Sequence, residues 1–253
     1  MRDSNKKLPY LEFHLTNHCN LNCKGCSHFC PIADPNYLTM DTFCRDMKRL
    51  SELFINISKI RIMGGEPLLH PLVATFAEKT RRFFPYSAIS VVTNGILLPA
   101  MSGSFYETMV KNKVTLDISV YPVAKEKMSS YTLLASQYGI PIKFTVVNQF
   151  CKRLNVTGDS DKHYIFKRCS VKDCTFLLNG KIFHCCRPAL SEIANKKFGW
   201  NIPGDGYIDI HTNVSAATIL DFLSQPSPTC SYCKEVTWFP WEISKCQESE
   251  WLV

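Results

Sequence analysis

The run Cys19-Asn-Leu-Asn-Cys23-Lys-Gly-Cys26 spaces three cysteines as CxxxCxxC. Three thiolates held this closely can ligate three irons of a four-iron cluster and leave the fourth iron open. An open iron is what a catalytic cluster needs, because an outside molecule can bind there. Zinc is ordinarily closed by four ligands, usually as paired CxxC or Cys/His units, and a structural metal site is the competing reading. A disulfide framework fits poorly: the chain holds thirteen cysteines, an odd number, and nothing in it reads as secreted.

The 253 residues are enough for a full-sized core, read as one α/β domain with a small appendage. Hydrophobic content of 45% and aromatic content of 12% mark a globular chain. No run of 18 apolar residues occurs, and the N-terminal MRDSNKKLPY is charged with no apolar region behind it. Neither a membrane span nor a secretory signal is therefore expected, and the expected compartment is the cytoplasm, where thiols stay reduced. The net charge of +7 is scattered. Arg81-Arg82 and Lys196-Lys197 read as solvated faces, so nucleic-acid binding is not expected.

The elements that must position the cysteines follow from periodicity. Residues 10–16 alternate, with Leu11, Phe13 and Leu15 on one side and Glu12, His14 and Thr16 on the other. This strand leads straight into the cysteine loop. Thr39 is a helix N-cap, followed by Met40, Phe43, Met47, Leu50 and Phe54 at helical spacing. Lys59–Met63 reads as a short strand ending in Gly64-Gly65-Glu66-Pro67. Pro71 then opens a second helix whose Leu72, Phe76, Thr80 and Phe83 share a face. Ala88–Thr93 is a third strand, closed by Asn94-Gly95, and a weakly patterned helix spans Ser102–Asn112. Val114–Val120 alternates, and a fourth helix carries Ala124, Met128, Tyr131, Ala135 and Tyr138 to a stop at Gly139 and Pro141. Ile142–Val147 is a fifth strand. This rhythm means βα units and a parallel sheet, either doubly wound or closed toward a barrel. The polar alternate faces (Glu12, His14; Asp117, Ser119; Lys143, Thr145) suit a lumen holding a polar ligand, or simply solvent exposure.

After Cys151 the composition changes, and seven cysteines fall between residues 169 and 246. Thr175–Phe183 reads as a hairpin turning at Asn179-Gly180. Residues 199–228 read as a linker and insertion, with a short helix near Ser215–Leu223. Cys30, Cys44 and Cys151 are expected as small packed hydrophobes.

The CxxxCxxC spacing, with Gly64-Gly65-Glu66-Pro67 one strand and one helix downstream, resembles the radical S-adenosylmethionine superfamily and its GGEP motif. The resemblance covers residues 10–150. It implies a partial parallel (β/α) barrel of five or six strands, with the cofactor at the strands' C-terminal ends. It also implies that S-adenosylmethionine binds the open iron of a [4Fe-4S] cluster held by Cys19, Cys23 and Cys26. Reductive cleavage would give a 5′-deoxyadenosyl radical that takes hydrogen from a substrate. Gly64, Gly65 and Glu66 are carried over as meeting the cofactor's amino group. Thr93, Asn94 and Ser119 match the family's ribose- and carboxylate-contacting positions more weakly, since strand ends are generic places for such residues. The chain departs from the family at Gly25, where an aromatic usually touches the adenine; His28 or Phe29 is the expected substitute.

The pattern Cys169, then Gly180 with Cys185 five residues on, then Cys230-Ser-Tyr-Cys233 is similar to the truncated auxiliary-cluster region called the twitch domain, a relative of the SPASM domain. The resemblance implies a second [4Fe-4S] cluster on Cys169, Cys185, Cys230 and Cys233; a zinc ribbon shares the geometry. Cys174, Cys186 and Cys246 are spare, Cys186 being able to replace Cys185 and Cys246 any one ligand. The division implied is 1–150, a radical S-adenosylmethionine partial barrel, and 151–253, a small cysteine-rich auxiliary-cluster domain.

A closed second cluster suits electron transfer beside a substrate, so the expected reaction is oxidation of a small polar molecule, an alcohol in a sugar or cyclitol. A short dehydrogenase of the family is similar in length and cysteine pattern. Lys152, Arg153, His14 and Tyr121 are candidates for orienting the substrate. The expected electron donor is a flavodoxin or ferredoxin, with no membrane partner. The alternatives are a radical maturase acting on a peptide or protein, disfavoured because only nine residues precede the first strand, and a non-catalytic iron–sulfur or zinc-binding module. Gly64–Pro67 and the open three-cysteine site argue against the module.

Overall fold

The computed structural model describes residues 6–253; the start of the charged N-terminal stretch lies outside them. Four βα units and a fifth strand come first. β1 (Lys7–His14), β2 (Asn56–Met63), β3 (Ala88–Thr93), β4 (Val114–Val120) and β5 (Ile142–Val146) pair in parallel, each with the next. Between them run α1 (Met40–Leu53), α2 (Val73–Phe83), α3 (Gly103–Lys111) and α4 (Met128–Tyr138). Thr39 caps α1 by accepting the Thr42 amide, and Ser102 caps α3 by accepting that of Phe105. Gly139, in the left-handed region, ends α4.

The second helix begins later than its sequence pattern suggests. Pro67–Leu69 forms a single 3-10 turn, and Leu72 precedes the helix with its side chain exposed. Pro71 therefore marks the approach to the helix instead of its first turn.

After β5 the chain forms β6 (Gln149–Leu154), α5 (Lys162–Arg168), β7 (Phe176–Leu178), β8 (Lys181–Phe183), α6 (Cys186–Phe198), β9 (Tyr207–Asp209), α7 (Ala216–Leu223) and β10 (Cys233–Pro240). The eight-stranded sheet has the order β5-β4-β3-β2-β1-β7-β8-β9. β7 joins the free edge of β1 in parallel, with Glu12 opposite Phe176, and supplies a sixth parallel strand. The hairpin of β7 and β8, joined by Asn179-Gly180, continues the same sheet antiparallel. β6 and β10 form a separate antiparallel pair. The architecture is the expected α/β one, a mostly parallel sheet with a cysteine-rich C-terminal part.

Residues 199–228 are not a loose linker. Trp200, Ile202, Ile210, Ala216 and Ile219 are all buried, and β9 extends the sheet. The last two of these, with Ile182 and Ile210, belong to the core of the parallel strands and α1. A smaller core gathers Phe29, Leu154, Phe176, Phe183, Leu190, Trp200 and Trp251. Short apolar segments such as these carry no period, and burial came from the tertiary fold alone. Among the described residues, no helix is long and apolar enough to cross a membrane.

Candidate active site

The cysteine loop is registered on the segment after β2. The β1–β2 pairing runs past the strand ends: the amide of Leu15 donates to the Met63 carbonyl at 2.8 Å, that of Gly65 to Thr16 at 2.8 Å and that of Glu66 to His18 at 3.0 Å. This explains the two glycines. A Cβ on Gly64 would stand 2.6 Å from the Thr16 carbonyl oxygen, and one on Gly65 would stand 2.0 Å from that of His18. The two loops can touch only where one has no side chain.

Cys19, Cys23 and Cys26 line one cleft, together with Gly64, Gly65, Thr93, Asn94, Ser119, Tyr121 and His28. The cleft lies at the C-terminal ends of the parallel strands. Cys19 Sγ accepts the Leu21 amide at 3.3 Å and lies 3.7 Å from Asn94 Nδ2. Burial pushes the thiols of Cys19 and Cys23 up to about 12, so bare thiolates are disfavoured there and a metal's positive charge would have to hold them. Three sulfurs facing one cleft fit an iron–sulfur cluster with a free coordination position.

Five of the six residues expected to contact the cofactor line the cleft. Glu66 does not. Its fully buried carboxylate accepts the amide of Leu68 at 3.0 Å, the hydroxyl of Thr93 at 2.7 Å and the amide of Asn94 at 2.8 Å. It braces the loop after β3 against the cysteine loop, and the cleft meets only the backbone beside it. Burial lifts its carboxyl to about 7 against those three donors.

Cys30, expected as a packed hydrophobe, is buried but lines the same cleft. Its thiol bonds to Cys26 and holds that group below the ordinary thiol range. Cys44 and Cys151 are only half-buried. Phe29 packs against Trp251 inside the smaller core and does not reach the cleft. The position opposite Gly25 is filled from the far end of the chain: a Cβ there would stand 2.7 Å from Cζ of Phe239. Tyr121, with Phe150 and Trp241 at ring separations of 5.9 and 6.0 Å, forms an aromatic wall.

The other substrate candidates separate. His14 is buried in the lumen, edge-on to His28 and Phe176, and burial holds it neutral; its Nε2 has no partner. Lys152 donates to the Ser249 carbonyl at 3.3 Å, away from the cleft. Arg153 is buried and donates to Cys169 Sγ at 3.4 Å.

The C-terminal cysteines converge from four elements. Cys169 ends α5, Cys185 precedes α6, Cys230 lies in the 3-10 turn Pro228–Tyr232 and Cys233 begins β10. The buried guanidinium of Arg187 feels Cys233, Cys186, Cys185 and Cys169, and Cys230 feels Cys233, Cys169 and Arg187. Two buried arginines facing these sulfurs offset the charge that a set of thiolates would carry. The donor set fits a closed four-thiolate centre.

Of the spare cysteines, Cys174 stays near Cys169 and Cys186, while Cys246 and Cys186 also reach toward the first loop. Cys246 approaches the Pro31 carbonyl at 3.5 Å, beside the first loop. Cys186 approaches the Ser27 carbonyl at 3.7 Å and hydrogen-bonds His28. Burial alone would lower His28, but Cys186, Cys26 and Glu12 lift it to about 9. Glu12, His28 and Cys186 bring their donor atoms within 4.8 Å of one another. This lumen floor between the two thiol groups has no sequence signature, because it joins β1, the cysteine loop and α6.

No family model matches the chain. Among known proteins it is 27% identical over 257 residues to a GTP 3',8-cyclase from Trichodesmium erythraeum, covering 90% of this chain and 78% of that protein. It is 31% identical over 158 residues to molybdenum cofactor biosynthesis protein 1 of Dictyostelium discoideum, but spans only 23% of that protein's length. Of solved structures, BtrN in complex with AdoMet and 2-DOIA superposes with a TM-score of 0.58 at 19% identity, covering 91% of this chain and 94% of that one. That likeness is one of fold.

Proposed function

The chain belongs to the radical S-adenosylmethionine superfamily, and from that we propose that it oxidises a small polar substrate, an alcohol in a sugar or cyclitol, with the help of a second iron–sulfur cluster. When bound, the first [4Fe-4S] cluster and S-adenosylmethionine supply a hydrogen-abstracting radical. The protein's part is to hold and shield. Cys19, Cys23 and Cys26 would hold the cluster. The backbone of Gly64 and Gly65, with Thr93, Asn94 and Ser119, would hold the cofactor at the strand ends. Tyr121, Phe150 and Trp241 would keep water from the cleft.

The observation that carries the oxidation is the gathering of Cys169, Cys185, Cys230 and Cys233 around Arg153 and Arg187, one residue from Cys186 and the lumen floor. A closed cluster there would stand ready to take the second electron of an alcohol oxidation. In length and cysteine pattern the chain is similar to 2-deoxy-scyllo-inosamine dehydrogenase. We read residues 1–150 as the barrel and 151–253 as its twitch-like auxiliary domain, with a flavodoxin or ferredoxin as donor.

The test is anaerobic iron and sulfide content of a Cys19, Cys23, Cys26→Ala triple variant beside the wild type. About four irons retained would support a second cluster and the oxidation. A variant without iron beside a wild type holding about four would leave a single-cluster enzyme with a zinc or structural C-terminal site.

A second reading is favoured by the Trichodesmium relative, whose name makes GTP its substrate: a purine nucleotide in the cleft. Formation of 5′-deoxyadenosine from S-adenosylmethionine, stimulated by GTP and not by amino-cyclitols, would select it.

A further inference from the structure

The last fifteen residues return to the first cysteine loop. The carbonyl of Glu242 accepts the Lys24 amide at 2.9 Å, and the Ser244 amide donates to Asn22 at 2.8 Å. Between them Ile243 forms a β-bridge with Cys23. Lys24 Nζ meets the Glu242 carboxylate at 2.6 Å. Further on, buried Glu250 accepts the amide of Lys245 at 2.7 Å and the hydroxyl of Ser244, and Trp251 Nε1 donates to the Cys26 carbonyl at 2.8 Å. The segment is thus strapped across the loop at Cys23 and Cys26.

Trp241 sits where the strap leaves β10. Its amide donates to the Asn148 carbonyl at 2.9 Å, and its ring lies against Tyr121. Its indole Nε1 points at Cys23 Sγ, 3.2 Å away. An N–H donor aimed at a ligating sulfur stabilises negative charge on that sulfur. A reduced cluster carries one more negative charge than an oxidised one, so the bond favours reduction.

We propose that Trp241 is a positioning residue of the first cluster site, whose indole N–H to Cys23 Sγ raises the reduction potential of the cluster. This rests on the reading that Cys19, Cys23 and Cys26 hold a cluster. It assigns to the C-terminal strap a part in electron entry as well as in shielding. Phe239, standing where a Gly25 side chain would be, and Trp241 then border the cysteine loop from the far end of the chain.

The experiment is an anaerobic redox titration, followed by electron paramagnetic resonance, of the full-length reconstituted protein and of Trp241→Phe, which keeps an aromatic ring and removes the donor. The first cluster is the signal that changes on adding S-adenosylmethionine and disappears in Cys23→Ala. The expected result is unchanged iron content and a midpoint potential shifted to more negative values. An unshifted potential at full iron content overturns the proposal and leaves the cluster reading intact. A wild type without such a signal overturns both. Should Trp241→Phe fail to load iron, wild-type protein grown with tryptophan labelled with ¹⁵N in the indole decides. Hyperfine coupling of that nitrogen to the reduced cluster is expected, and its absence overturns the proposal.

Discussion

The carboxylate of Glu66 accepts the backbone amide of Asn94 at 2.8 Å, and Asn94 Nδ2 in turn donates to Asn20 Oδ1 at 2.7 Å beside Cys19. A buried acid after β2 thereby fixes the loop after β3 against the cysteine loop. Removing it would leave three buried donors without an acceptor. Glu66→Ala is expected to cost about 3 kcal/mol, read as a lower urea midpoint of the cluster-free protein, with Glu66→Gln costing less.

The same residue sets a pH dependence. Its carboxyl is raised by burial to about 7, so the folded state binds the proton more tightly than the unfolded chain does. Its stabilising contribution is complete below the ordinary carboxylate range and is lost as pH rises through about 7. Between pH 5 and pH 8 the cluster-free wild type should lose stability relative to Glu66→Gln. Parallel curves for the two proteins would show that Glu66 is not the group responsible.

Cys30 tests whether the first centre is open. Four thiols line the cleft, and a four-thiolate closure would leave no iron for a cofactor. Cys30→Ala is expected to keep wild-type iron content and the spectral response to S-adenosylmethionine. Cys19→Ala, Cys23→Ala and Cys26→Ala should each lose the first cluster. Loss of iron in Cys30→Ala would instead mark a closed centre.

Gly65 tolerates no side chain, because the atom it would meet is backbone. With a Cβ 2.0 Å from the His18 carbonyl oxygen, Gly65→Ala must push the cysteine loop off the β2 loop. Destabilisation of about 3 kcal/mol or more is expected, with impaired cluster assembly. Thermal unfolding and iron analysis of one preparation would check both.

At Gly25 two penalties are separable. The residue has φ +64°, and a Cβ would meet the Phe239 ring at 2.7 Å and the Glu250 carbonyl at 2.9 Å. Gly25→Ala should destabilise by about 2 kcal/mol. Adding Phe239→Leu should recover only part of the loss, since the backbone conformation and the Glu250 contact remain. Full additivity of the two changes would show that the ring and the glycine do not share this space.

The barrel half was legible because its signals are local and periodic. Alternation marked β1 and β4, Thr39 and Gly139 bounded helices, and Asn179-Gly180 joined the β7–β8 hairpin. The first cysteine group needs no long-range information either, since its spacing of three and two residues brings the thiols together within one loop. For the C-terminal cysteines, spacing and likeness to a family suggested a group, but nothing in the sequence placed Arg153, expected at the substrate, or Arg187 among the sulfurs.

Three things only the tertiary structure decided. The pairing of β7 with β1 joins residues more than 160 apart, which no period in the chain reports. Glu66 looked like an acceptor offered to a ligand, yet its three donors come from Leu68, Thr93 and Asn94 once β2 and β3 lie side by side. Phe239, Trp241 and Trp251 reach the cysteine loop from the far end of a chain whose termini of sequence say nothing of their neighbours. A motif fixes chemistry when its ligands lie on one loop. The groups that surround and tune that loop come from strands and tails brought in by packing, and their order in the chain carries no trace of it.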